Sequence, residues 1–264
     1  MMIAPLLSKD CPVLLVGAPG CGKTALVRAA ADHVEVILTS AMVEEDIAGL
    51  PYREGAEEHR TIPGAIARLI AADAAGKKTI LFLDEIDKAR RSVADTLLTL
   101  VASRRAGEVP LPAATAIVAA ANPADRAGGD GVSEAMRSRF AVVPFAPDVA
   151  AWAAWARATY RSSWAQAVID AVDVGELPLL DDTRADDELA ARTTCPRTLA
   201  LALATIDRLG ADDELATMTL LSGLLTPSVA SRVAHYRPTA SVPSLARTCR
   251  RAARARTAPE PIRL

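Results

Sequence analysis

Eight consecutive residues, Gly17-Ala18-Pro19-Gly20-Cys21-Gly22-Lys23-Thr24, stand directly after an apolar run, Val13 to Val16, and directly before a helical pattern. No other stretch limits the possible folds as tightly. Three glycines let the backbone turn its N–H groups inward around an anion, and a strand-to-helix junction supplies the positive end of a helix dipole. The pattern is that of a phosphate-binding loop, with Lys23 placed for the β- and γ-phosphates of a nucleotide and the Thr24 hydroxyl for Mg²⁺. Gly17, Ala18, Pro19, Gly20, Cys21, Gly22, Lys23, Thr24 and Ala25 are therefore the expected nucleotide-binding residues.

Such a loop needs a parallel sheet behind it, and the sequence supplies candidates for its strands. Short apolar runs at Val13–Val16, Val34–Leu38, Thr79–Leu83, Ala116–Ala120 and Ala141–Phe145 read as buried strands. Helical patterns at Lys23–His33, Gly64–Ala75 and Ser92–Arg104 lie between them, which predicts right-handed crossovers and a three-layer α/β/α domain over residues 1–147. After Pro147 the strand signals stop. Asp148–Tyr160, Ser163–Val172, Pro196–Leu209 and Asp213–Leu225 read as helices, so a smaller all-helical domain is expected over residues 148–240. Residues 241–264 are expected to form a basic helix and tail. Pro51–Ile62, centred on Gly55, and Arg104–Pro112, centred on Gly107, are expected to be hairpins or plain surface loops.

The third apolar run ends in Asp84-Glu85, at the strand end where a doubly wound sheet binds its ligand. Asp84 is expected to hold Mg²⁺ together with Thr24, and Glu85 to polarise a water attacking the γ-phosphate. Asn122, the only asparagine, ends the fourth run, where its amide is expected to reach the attacking water or the γ-phosphate. With no second asparagine, and with Pro123 following, a guanine-reading Asn-Lys-x-Asp motif is impossible. Arg137 and Arg139 lie at the end of a short helical pattern, and Arg197 opens a helix of the second domain. Each is expected at the site, although an arginine in such a position equally caps a helix or makes a surface ion pair.

Charge and composition exclude little and favour nothing exotic. With 30 basic and 32 acidic residues, the net charge of -2 makes no overall case for nucleic acid or an acidic membrane. Aromatic residues are only 3 %, so the core must be aliphatic. Cys11, Cys21, Cys195 and Cys249 lack paired metal-ligand spacing, and no apolar run approaches the roughly 18 residues of a membrane span. A reducing, cytoplasmic location is expected.

In this order, the motifs closely resemble those of the AAA+ ATPases: Walker A at Gly17–Thr24, Walker B at Leu81–Glu85, sensor 1 at Asn122, an arginine finger at Arg139 or Arg137, and sensor 2 at Arg197. Asp46-Ile47-Ala48-Gly49, Ile62-Pro63-Gly64-Ala65-Ile66, Ala120-Ala121-Asn122-Pro123 and Ser138-Arg139-Phe140 look most like the MoxR-related branch. The resemblance implies a five-stranded parallel sheet in the order 5-1-4-3-2, a helical lid, ATP and Mg²⁺ as ligands, and a homo-oligomeric ring, usually a hexamer. It also implies that Pro51–Ile62 is the helix-2 insert and Arg104–Pro112 the hairpin before sensor 1, with Tyr52 the residue suspected of touching substrate. The inherited activity is ATP hydrolysis that remodels a protein partner, commonly one with a von Willebrand factor A domain. A DNA-directed motor or loader, or a nucleotide-gated scaffold, are the alternatives.

Three local features stand outside these motifs. Cys21, inside the loop beside Lys23, is either an oxidation-sensitive thiol of lowered pKa or simply a small residue at an unconstrained position. Arg247, Arg250, Arg251, Arg254 and Arg256 form a basic segment, read as a solvated helix face or a surface for an acidic partner or nucleic acid. Asp181, Asp182, Asp186, Asp187 and Glu188 read as an acidic surface loop.

Overall fold

Runs such as Ile80-Leu81-Phe82-Leu83 carry no polar face, so both sides of the strand they form must be covered. The computed structural model, which describes residues 9–123, 131–181, 192–209 and 213–238, covers them on both sides. Strands β1 (Val13–Val16), β2 (His33–Leu38), β5 (Thr79–Asp84), β8 (Ala116–Ala121) and β9 (Ala141–Pro144) make one parallel sheet in the order β2-β5-β8-β1-β9. Numbered among themselves, these strands stand in the expected order 5-1-4-3-2.

Alternation along the strands divides the core into two layers. Leu14, Leu81, Leu83, Ile117 and Ala119 point to one face and pack with Ile66 and Leu69 of α3 (Gly64–Ala74) and with Val93, Leu97 and Leu100 of α4 (Arg91–Ser103). Val13, Leu15, Ile80, Phe82, Val118 and Ala120 point to the other and pack with Val27 of α1 (Lys23–Arg28). The three-layer α/β fold is thus observed.

Two small hairpins project from the layers. The first pairs β3 (Pro51–Glu54) with β4 (Glu57–Arg60), after a short helix α2 (Glu44–Ala48). The second pairs β6 (Arg105–Ala106) with β7 (Val109–Pro110), its base held by Arg104, whose guanidinium donates to the carbonyls of Pro112 and Thr115. Tyr52 is exposed on the first hairpin, with its ring centroid 5.5 Å from that of His59.

One predicted helix is shorter than its pattern. The helix expected over Lys23–His33 ends at Arg28, because the following backbone is taken by a neighbouring strand entry. Both Asp32 N–H and His33 N–H donate to Lys78 O at 3.1 Å, and the Asp32 carboxylate accepts Lys78 N–H. His33 therefore opens β2 opposite Thr79. Within the described residues the chain also forms α5 (Glu134–Arg137), whose N-cap hydroxyl, on Ser133, accepts Met136 N–H.

The described residues fall into two compact units, one running to Asp148 and including Cys195–Arg197, the other taking Val149–Thr194 and the chain from Thr198 on. The second unit is built on helices: α6 (Val149–Thr159), α7 (Ser163–Asp173), α8 (Pro196–Arg208) from Thr198 on, α9 (Glu214–Leu224) and α10 (Pro227–His235). The last of these lacked a sequence assignment, although Pro227 at its first turn is a start signal. The Trp164 indole donates to Val233 O at 2.9 Å, so the core of this unit pairs its polar group while burying the ring. The basic segment beyond residue 240 and the acidic residues Asp182, Asp186, Asp187 and Glu188 lie outside the described residues.

Candidate active site

The loop from Gly17 to Gly22 leaves β1 at the C-terminal end of the sheet, and two of its glycines have physical reasons. A Cβ on Gly17 would stand 2.5 Å from Phe145 O, where the chain leaves β9. Gly22 has φ +104°, a backbone conformation that a side chain disfavours. Ala121 O accepts Gly17 N–H at 3.2 Å, and the run Ala119-Ala120-Ala121 keeps β8 slim enough to lie beneath the loop.

Lys23 opens α1 and is buried, with its ammonium folded onto the loop. Its Nζ donates to Gly17 O at 2.6 Å, Ala18 O at 3.1 Å and Asn122 Oδ1 at 3.4 Å. Burial pushes the Lys23 pKa down, opposed by the charges of Cys21, Asp84 and Asp87 and reinforced by Arg197. Next along the helix, Thr24 Oγ1 donates to Asp84 Oδ2 at 2.9 Å. Two hard oxygen donors side by side at the mouth of the loop fit the ligand preference of Mg²⁺, which takes few protein ligands and completes its shell with phosphate oxygens and water. Ala25, one residue further, is exposed on α1.

Glu85 follows Asp84 in the left-handed region, with φ 56°. Both carboxylate oxygens are engaged: Oε1 accepts from Lys88 Nζ at 2.9 Å and Oε2 from Ser40 Oγ at 2.9 Å. The hydrogen bond from Lys88 is the main cause that holds the Glu85 carboxyl below its ordinary value; Ser40 adds to it and burial opposes it. Thr39, fully buried, fixes the same turn by donating to the carbonyls of Asp84 and Glu85 at 3.0 and 2.8 Å.

Asn122 directly follows β8 within reach of two groups, accepting from Lys23 through Oδ1 and donating through Nδ2 to Asp87 Oδ2 at 3.1 Å. Lys23, Thr24, Asp84 and Asn122 are thus gathered at one end of the sheet, and Glu85 adjoins them. Arg197 is exposed, its backbone N–H donating to Gly20 O at 3.3 Å and its charge acting on both Lys23 and Glu85. Arg137 and Arg139 are exposed; the Arg139 guanidinium donates to Ala135 O at 2.8 Å and to Ser138 Oγ at 3.3 Å.

Sequence reasoning missed Thr39, Ser40, Asp87 and Lys88. Asp87 and Lys88 were legible as polar residues just past Asp84-Glu85, whereas Ser40 reaches the site only because Leu38 pairs with Asp84 across the sheet. The reading of Cys21 as a thiol of lowered pKa is corrected. Burial is the largest influence and pushes it up, outweighing the nearby Lys23 charge. Cys21 instead fills space under the loop, 3 % exposed.

Comparison with known proteins bears on this arrangement. Residues 12–140 match the model of the AAA domain, dynein-related subfamily. No curated protein matches the sequence. Among solved structures, the chain is similar to a protein assigned as an ATPase from Cytophaga hutchinsonii, at 21 % identity over 55 % of this chain and 45 % of that one, TM-score 0.39. It is also similar to the RuvB Holliday junction branch migration motor of Thermotoga maritima, at 19 % identity over 80 % of this chain and 62 % of that one, TM-score 0.44. The chain therefore spans less than two thirds of either structure's own length. The family match covers both the phosphate loop and the carboxylate pair at the end of β5, so residues 12–140 are similar to an AAA domain of the dynein-related subfamily.

Proposed function

We propose that this chain is a Mg²⁺-dependent AAA+ ATPase of the MoxR-like kind, working as an oligomeric ring, usually of six subunits, that changes the conformation or assembly of a protein partner. The observation that carries the site assignment is the 2.9 Å hydrogen bond between Thr24 and Asp84, which unites the two expected metal ligands across the sheet. Bound there, Mg²⁺ would offset the phosphate charge as the γ-phosphoryl group transfers. Lys23 would exchange its loop carbonyls for phosphate oxygens, and the loop N–H groups would cradle the β-phosphate. Glu85 would accept the proton of the attacking water, which requires it to leave Ser40 and Lys88.

The exposure of Arg137 and Arg139, with the Arg139 guanidinium engaged on its own helix end, supports a role in a neighbouring subunit's site, and Arg139 is the favoured finger. AAA+ proteins commonly oligomerise, and such an arginine supplies roughly 10³ to 10⁵ in rate in other P-loop enzymes. On this reading residues 1–147 are the ATPase core, residues 148–240 a lid carrying Arg197, and residues 241–264 a basic tail. The two hairpins, with Tyr52 exposed on the first, would face the substrate or a von Willebrand factor A domain partner. No helix among the described residues is long and apolar enough to cross a membrane, and a cytoplasmic location is proposed.

The deciding experiment is Mg-ATP turnover per subunit across a wide range of protein concentration. A steep rise is expected if sites are shared between subunits. A fast rate independent of concentration would overturn the shared-site model.

A further inference from the structure

Among the described residues, Asp87 is the one acidic residue buried at the site, 2 % exposed, in the short turn of helix that follows Glu85. Burying a carboxylate costs several kcal/mol unless it is paired. Its Oδ2 accepts the Asn122 Nδ2 hydrogen bond at 3.1 Å, while its Oδ1 is buried without a hydrogen-bond partner among the described residues. Core packing does not account for a half-satisfied carboxylate there.

The consequence falls on Asn122. An ionised carboxylate only accepts and an ammonium only donates. Asn122 stands between one of each, with Asp87 at 3.1 Å and Lys23 at 3.4 Å. In the observed orientation both ends of the amide are matched. Flipped by half a turn, it would set oxygen against carboxylate and NH₂ against ammonium, losing two favourable contacts and gaining two repulsive ones. Asp87 thus removes the ambiguity that an amide side chain ordinarily has.

We propose that Asp87 is a positioning residue that fixes the Asn122 amide, with its NH₂ drawn inward and its carbonyl oxygen presented beside Lys23 at the phosphate loop. The inference rests on the reading of Asn122 as an active-site residue and sharpens it. The end of the amide left facing the site is an acceptor, which suits a water molecule and repels a phosphate oxygen. Asn122 would therefore act on the attacking water through that oxygen.

Because Asn122 is the only asparagine, selective ¹⁵N-asparagine labelling gives a single side-chain NH₂ signal. Its exchange with water is expected to be roughly tenfold or more slower in the wild-type chain than in Asp87→Ala. Circular dichroism is to check that each variant is folded. In turnover assays, Asp87→Ala should lower kcat by roughly 10- to 100-fold while changing KM for ATP by less than about threefold. The exchanged pair Asp87→Asn with Asn122→Asp restores a donor facing an acceptor and should exceed Asn122→Asp alone. Unchanged amide exchange in folded Asp87→Ala, or no gain in the exchanged pair, would overturn the proposal. A wild-type chain without turnover would instead count against the wider reading of the site, while the amide exchange would still decide the role of Asp87.

Discussion

Lys88 Nζ stands 2.9 Å from Glu85 Oε1, so the carboxylate assigned to water activation is held by a cation one turn further along its own chain. This contact is the main cause of the lowered Glu85 pKa. A carboxyl whose pKa is lowered keeps its basic form to more acidic pH. Turnover by the wild-type protein is therefore expected to stay flat as pH falls to about 5, near the ordinary carboxylate range. In Lys88→Met the acidic limb of the kcat/KM profile, which reports the free enzyme, should move to higher pH. An unmoved limb would mean that the limb belongs to another group. The contribution to stability has the same sign, present above the unfolded-state pKa and lost as pH falls through the folded one, and is small because the pair is about one third exposed.

The Thr24–Asp84 contact predicts a change in metal dependence. Thr24→Ala and Asp84→Asn should each raise the Mg²⁺ concentration for half-maximal turnover by roughly tenfold or more, as expected on losing a contact to a charged group. Lys23→Ala should lose nucleotide binding, and Glu85→Gln should bind ATP without turning it over. Titration of Mg²⁺ at saturating ATP, alongside binding of a fluorescent nucleotide, checks all four. Equal turnover in every variant would remove the site assignment.

Arg139 and Glu85 are proposed to serve different subunits' sites. Inactive Arg139→Ala mixed with inactive Glu85→Gln should then form some intact interfaces and regain measurable ATPase activity. No recovery in mixtures shown to exchange subunits would place Arg139 outside the chemistry.

Cysteine labelling reads the packing of the loop directly. Cys11 is exposed, whereas Cys21 is buried with its pKa pushed up, so fewer Cys21 thiolates are available at neutral pH. Peptide mass spectrometry after iodoacetamide treatment at pH 7 should find Cys11 modified well before Cys21. Faster modification of Cys21 would show that the loop opens readily.

Phe82 lies fully buried in the strand that carries Asp84 and Glu85. Phe82→Ala should lower unfolding stability by about 3–5 kcal/mol, through lost burial and the cavity left behind. Chemical denaturation with an unchanged slope would measure this as stability and not as altered compactness.

Much of the fold was legible because its signals are local. A run such as Ile80–Leu83 with no polar face has no stable place except within a covered sheet. The glycine and lysine pattern at Gly17–Thr24 likewise fixes a turn between strand and helix. Boundaries were less legible: Ala29 to His33 carries a helical pattern, yet Lys78 O captures the N–H groups of Asp32 and His33, so that residues 29–32 turn and His33 opens β2.

The sequence alone determined the three-layer class, the phosphate loop and the carboxylates at the end of β5, since each follows from neighbours along the chain. Tertiary structure decided what those groups face. Ser40 reaches Glu85 only through the pairing of β2 with β5, Asp87 reaches Asn122 only because β5 and β8 are adjacent, and Cys21 is shielded by burial. Such contacts join residues tens of positions apart, and they depend on strand register and desolvation, which no local pattern of residues specifies.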